Sequence, residues 1–438
     1  MDEWLWGWDP TPGIVSVWAD EDGHATVWRR LPQGGGLVRE ETGFRPWLLY
    51  DRLDDVQAAG DTITIRELAG PGALRYHLSA DRWSTLTGAL IRGASRRLGR
   101  PVNHVRDLPE ESLLVLPPDE QYLVATGRTY FRDLVYDDLR RMQFDLETTS
   151  LEPARGRIFM IGVRDPDGVC QVLEADGRLD DARESDLIRR LVAVVQAADP
   201  DVIENHNLHG FDLPFLDHRA RRLRVPLALG RIAAPGLRQR GARRGAPSGR
   251  DDGRRVRFVA PGRELIDTLD AVRRHDFSAR DLPGHGLKAV ARHFGISGPE
   301  RELIPGPRIH HVYQTDPERV RRYATADVEE VAALSRLIGG AAFALEQSPG
   351  WRALALDVDV GEGIAQDAHR DFDTQPAAKF SGAAAAFTQA LTLDQYRIIN
   401  LLQFHRRILH VALAHRHGGI LAVFVRASAP TTAHDRLA

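Results

Sequence analysis

Cysteine and lysine are nearly missing from this 438-residue chain. Cys170 is the single cysteine, so no disulfide framework and no cysteine-rich zinc site can be built within the chain, and Cys170 itself reads as a core residue. Lysine stands only at Lys288 and Lys379, so arginine supplies the positive charge almost everywhere else. The chain opens with no charged-then-apolar leader, and no apolar run of 18 residues occurs, which argues against a transmembrane helix. A protein neither exported nor embedded, in a reducing cytoplasm, is expected. Walker loops and serine elbows are also lacking, which excludes the chemistries those loops support.

What is present suits two or three soluble domains: 43% apolar and 27% charged residues over a length that can bury sizeable cores. Net charge is only −3, yet thirteen arginines between Arg219 and Arg257 face only Asp251 and Asp252. That local excess of +11 is a candidate phosphate-binding surface, or simply a solvated loop in an arginine-using protein.

Residues 1–135 read as strand-rich. "PGIVSVWAD" and "HATVWRR" flank the turn "EDG" in a hairpin pattern, "RPWLLY" is a further strand, and residues 80–98 place apolar side chains at helical spacing. Residues 136–340 alternate elements as an α/β domain does. "RRMQFDLE", "RIFMIGVRD" and "VCQVLEA" predict an antiparallel meander, followed by the helix "ESDLIRRLVAVVQAAD", the strand "DVIENHN" and the helix "LPFLDHRARRL". "ELIDTLDAVRR" closes the basic loop. "GLKAVARHFG" and a long helix capped by Asp316, with Pro317 in its first turn, follow. From 341 to 438 the chain is Ala-rich, with one amphipathic helix at best over residues 393–416.

Three short constellations carry chemistry. Asp145 and Glu147 lie two apart at the end of a strand and so project from one face, where a divalent cation would relieve their repulsion; a strand-end acidic turn is the alternative. Asp212, in "NHNLHGFDLPFL", stands at the head of a helix as a ligand or as an N-cap. In the same segment Asn207 can contact a nucleotide or hold the turn. His206 and His209 lack a third zinc ligand and read as loop histidines. Tyr323 and Asp327 are one helical turn apart, an arrangement in which a phenol can orient water beside a metal-bound carboxylate, or an ordinary exposed helix face.

Taken in order, Asp-x-Glu, Asn-x-x-x-Phe-Asp and Tyr-x-x-x-Asp resemble the three motifs of the DEDDy branch of 3′→5′ exonucleases. "FDLETT", "HNLHGFDLPFL" and "GLKAVARHFG" are similar in detail to the proofreading module of family B DNA polymerases, and the strand-rich first segment to that family's N-terminal domain. The resemblance covers about 1–340. It implies a ribonuclease-H-like domain, a mixed sheet flanked by helices, at 136–340 behind a β-rich domain at 1–135. It implies two Mg²⁺ or Mn²⁺ ions held by Asp145, Glu147, Asp212 and Asp327, with Tyr323 positioning water and Asn207, Phe211 and Thr148 meeting the nucleotide. Single-stranded DNA or a DNA 3′ end is the implied substrate, a separate polymerase subunit a candidate partner, and a nucleoid-associated cytoplasmic location follows. After 340 the likeness stops. "LALDVDVGEG" and "RDFDTQ" hold the tail's Asp-x-Asp pairs, without companion motifs, so polymerase activity is not expected. A catalytically idle, single-strand-binding remnant of a polymerase is the alternative function, and an endonuclease a third.

Overall fold

Two apolar, β-branched runs joined by a short polar turn open the fold. β1 (Ile14–Ala19) and β2 (His24–Arg30) pair antiparallel, and β3 (Leu37–Gly43) adds to the far side of β2. The computed structural model describes residues 9–31, 36–68, 74–175, 177–232, 236–240, 257–339, 409–416 and 419–427. A second antiparallel sheet, ordered β5-β6-β4-β7, comprises β4 (Trp47–Tyr50), β5 (Thr64–Glu67), β6 (Tyr76–Ser79) and β7 (Leu113–Leu114). Helix α1 (Trp83–Leu98) packs on it through Leu86 and Leu90 and stops at Gly99, whose φ of 63° ends the helical repeat. A short helix, α2 (Pro118–Thr126), leads toward the central domain.

That domain is a five-stranded mixed sheet. β8 (Arg141–Thr148), β9 (Ile158–Arg164) and β10 (Cys170–Glu174) form the expected antiparallel meander. α3 (Asp181–Ala198) begins where the Asp180 carboxylate accepts from the Arg183 amide at 2.9 Å. It returns the chain to β11 (Val202–Asn205), which runs parallel to β8. α4 (Leu213–Leu223) and a small ribbon of β12 (Arg238–Arg240) and β13 (Arg257–Val259) precede β14 (Glu264–Asp267), which is parallel to β11. The sheet order is β10-β9-β8-β11-β14. α5 (Thr268–Ala279), α6 (Leu287–His293), α7 (Ile309–Thr315) and α8 (Pro317–Ile338) complete the domain.

Strand alternation decides which face does what. Met142, Phe144 and Leu146 of β8 join Leu187, Leu191, Leu213 and Leu216 in the core beneath α3 and α4. Residues 145 and 147 are thereby turned to the opposite face, which α8 covers through Val320, Tyr323 and Ala324. A buried ion pair locks the first layer: Glu184 of α3 receives the Arg219 guanidinium of α4 at 2.7 and 2.6 Å and the Ile158 amide of β9 at 3.0 Å.

The N-terminal sheet packs directly on the central one. Val15, Val17 and Val27 share a core with Tyr122, Tyr130 and Val202, and the buried Asp201 receives Arg30 at 2.6 and 2.8 Å and Arg231 at 2.8 Å. Packing therefore crosses the division proposed at residue 135. Cys170, expected in the core, is only half-buried on the edge strand β10, its Sγ 3.9 Å from Glu329.

The end of the chain departs from expectation. Leu409–Arg416, read as the end of an amphipathic helix, is instead a strand, β15, paired antiparallel with β16 (Gly419–Ala427). "LHVALAHR" and "GILAVFVRA" are short apolar runs separated by two residues, His417 and Gly418, which is hairpin spacing; a short apolar run satisfies either period, and here strand pairing decides it. Residues 340–408, with the rest of the expected helix and "LALDVDVGEG", lie outside the described residues.

Candidate active site

The exposed turn after β8 would be a poor place for paired acids; the structure buries them instead. Asp145 is partly buried and Glu147 almost wholly so, both on the face covered by α8. Asp327 comes from α8, one turn after Tyr323. Ligand oxygens of Asp145, Glu147 and Asp327 all lie within 4.8 Å of one another. Close packing makes this meeting possible. Gly162 of β9 pairs with Asp145, and a Cβ added there would lie 2.9 Å from the Ala324 carbonyl. Only glycine lets α8 settle this low on the sheet.

Asp212 stands beside this trio rather than within it. It is the last residue of a π-helical turn, Leu208–Asp212, immediately before α4. Its carboxylate caps no helix amide. Oδ1 accepts from the Leu146 amide at 3.3 Å and Oδ2 from Asn205 Nδ2 at 3.0 Å, and the same Nδ2 donates to Asp145 Oδ1 at 2.9 Å. Asn205 thus ties Asp212 to Asp145.

Burial without a cation is costly for such a set. Loss of hydration pushes Asp145 up, and loss of hydration followed by the Asp145 charge pushes Glu147 and Asp212 well above the usual carboxylate range. Two side chains to which sequence analysis assigns no role offset part of the charge. Lys288 of α6 and Arg301 both pair with Asp327, and Arg301 also donates to Glu330 at 2.7 Å. Both cations lie over the Tyr323 ring, 4.7 and 4.9 Å from its centre. Burial pushes Lys288 down to about 8. Burial, then the charges of Glu147 and Asp145, raise the Tyr323 phenol above its ordinary value, so it stays protonated at neutral pH.

The remaining expected residues have structural partners. Asn207 adopts φ 70°, donates its amide to Asp267 at 2.8 Å and accepts from the Gly210 and Phe211 amides, so it holds the turn. Phe211 is half-buried against Phe215, with ring centres 5.6 Å apart. The Thr148 hydroxyl donates to the Ser150 carbonyl at 3.0 Å. His206 binds Thr268 and the His285 carbonyl, and His209 accepts from the Phe258 amide, as loop histidines do.

The donor set fits hard divalent cations: it is all oxygen, it is buried, and Glu147 Oε1 and Asn205 Oδ1 have no hydrogen-bond partner among the described residues. The comparisons agree with the class. Residues 142–336 match the RNase H superfamily. Over 282 residues, 55% of this chain, it is 28% identical to a DNA polymerase of Pyrococcus glycovorans and covers 34% of that protein. The corresponding match to the Thermococcus kodakarensis DNA polymerase is 27% identical and covers 16% of it. A 106-residue stretch, 23% of this chain, is 40% identical to DNA polymerase 2 of Aeropyrum pernix, covering 13% of that protein. The family B DNA polymerase of the hyperthermophilic archaeon Pyrobaculum calidifontis shares the fold, with a TM-score of 0.53 and 22% identity over 74% of this chain and 44% of that one.

Residues 142–336 are thus an RNase H-like α/β domain, set behind a strand-rich region. More particularly, the chain is similar to archaeal DNA polymerases over about half of its own length and spans about a third or less of theirs. Among its described residues, no helix is long and apolar enough to cross a membrane.

Proposed function

We propose that this chain is a divalent-cation-dependent 3′→5′ exonuclease acting on DNA 3′ ends. One observation carries the reading: Asp145, Glu147 and Asp327, from two elements far apart in sequence, bring their oxygens within 4.8 Å in an RNase H-like domain. Asp145, Glu147, Asp212 and Asp327 would hold two Mg²⁺ or Mn²⁺ ions. Bound there, the ions would supply an activated water and charge neutralisation for the departing 3′-oxygen.

The protein's own groups have separate tasks. The four carboxylates fix the place of positive charge. Tyr323, with its phenol kept protonated, orients the attacking water by hydrogen bonding. Lys288 and Arg301, which pair with Asp327, are available to phosphate oxygens once Asp327 is otherwise paired. Phe211, next to Asp212 and half-buried against Phe215, would offer its ring to a terminal base, on the turn that Asn207 holds.

The test is product analysis on two substrates, a 5′-labelled single strand and a closed circular single strand. Stepwise shortening from the 3′ end with release of mononucleotides, and an intact circle, are expected. Cutting of the circle would identify an endonuclease, and no cutting of either an idle binding remnant.

A further inference from the structure

Asn205 closes β11 and is fully buried. Its Nδ2 bridges Asp145 and Asp212 at 2.9 and 3.0 Å, while its Oδ1 has no hydrogen-bond partner among the described residues. A buried amide oxygen left unpaired costs about 1–3 kcal/mol, so its retention beside an acidic cluster calls for a physical reason. Charge explains the orientation. Without a cation, the amide must turn its NH₂ to the two carboxylates, because its oxygen there would meet two anions. Were a cation held beside Asp145, the preference would reverse: the NH₂ would be repelled and the oxygen attracted.

We infer that Asn205 is a further ligand of the site, an amide whose NH₂ bridges Asp145 and Asp212 and which turns over to present Oδ1 to a bound divalent cation. The bridge keeps two mutually repelling carboxylates in place until then. Turning over requires only rotation about the terminal side-chain bond, whose two amide orientations have nearly the same shape. The inference rests on the two-cation reading of the site.

The experiment is calorimetric titration of Mn²⁺ into the full chain without DNA, for the parent, Asn205→Ala and Asn205→Asp. The parent takes up two ions. Asn205→Ala weakens the weaker of the two by about tenfold or more, the scale on which loss of a supporting metal-site group is felt. Asn205→Asp, close to isosteric and carrying a full charge, tightens that ion by a similar factor. Unchanged affinities, or tighter uptake by Asn205→Ala, overturn the inference, the second because the amide would then only compete with the cation. If Asn205→Ala does not fold, Asn205→Asp decides alone, and unchanged or weaker uptake counts against it. Uptake of fewer than two ions by the parent overturns the two-cation reading, and this inference with it.

Discussion

At the scale of residues, the site is a buried anion cluster held together by borrowed cations. Its carboxylates are costly to stability in the absence of metal, and that cost can be measured. Glu147 and Asp212 have folded-state pKa values raised by burial and by the Asp145 charge. For such groups the contribution to stability is fully present below the unfolded pKa and is lost as pH rises through the folded pKa. In chelator, the melting temperature should therefore fall as pH rises toward neutral. Glu147→Gln should blunt that fall and raise the neutral-pH value by roughly 2–4 °C per kcal/mol of relieved repulsion, while cleavage is lost. A lower melting temperature for Glu147→Gln in chelator would contradict the electrostatic account. Tyr323→Phe keeps the ring that lies under Lys288 and Arg301 and removes only the hydroxyl, so single-turnover cleavage should fall less than for any carboxylate variant. The acids are legible in the sequence: strand spacing pairs Asp145 with Glu147, helix spacing pairs Tyr323 with Asp327, and the grouping of these with Asp212 comes from the resemblance of the ordered motifs. Lys288, Arg301 and Asn205 are not, because their partners come from other elements. One signal for Lys288 is available: a chain with two lysines places one of them here, where a compact ammonium fits beside Asp327.

At the scale of elements, the site depends on how closely α8 lies on β8 and β9. Gly162→Val would drive a branched side chain against the Ala324 backbone and lift α8, separating Asp327 from Asp145 and Glu147. Such overpacking typically costs about 1–3 kcal/mol, so the variant should fold with a lower melting temperature and bind Mn²⁺ more weakly. Parent-like Mn²⁺ affinity in a folded Gly162→Val protein would show that α8 does not set the geometry. Short apolar, β-rich runs reveal β1, β2 and β9, alternation of apolar and polar residues reveals β8, and the cap at Asp316 marks where α8 begins. β3, "LVREETG", gives no such signal because it is an exposed edge strand with no apolar alternation. The hairpin at 409–427 is hidden because a short apolar run suits helix and strand alike.

At the scale of the molecule, net charge near zero hides a strongly basic stretch beyond α4. Arg238 and Arg240 lie on β12 and Arg257 on β13, while residues 241–256 lie outside the described residues. If this stretch meets the phosphate backbone, neutralising four of its arginines should weaken single-strand binding and flatten its dependence on salt, by up to ~0.7 in slope for each phosphate left without its arginine. An unchanged slope would assign those charges to solubility. The central claim, that buried carboxylates carry the chemistry and not the grip on DNA, is tested most directly by one paired measurement. Single-turnover cleavage with Mg²⁺ and equilibrium binding of single-stranded DNA in chelator are measured on the parent, Asp145→Ala and Asp327→Ala. Removing a preorganised electrostatic group typically costs about 10²–10³ in rate, and removing a metal ligand should cost at least that. Binding in chelator should hold or tighten, because removing one acid relieves repulsion of the polyanion. Parent-like cleavage by either variant, together with weakened binding, would show that these residues are structural and that the site lies elsewhere.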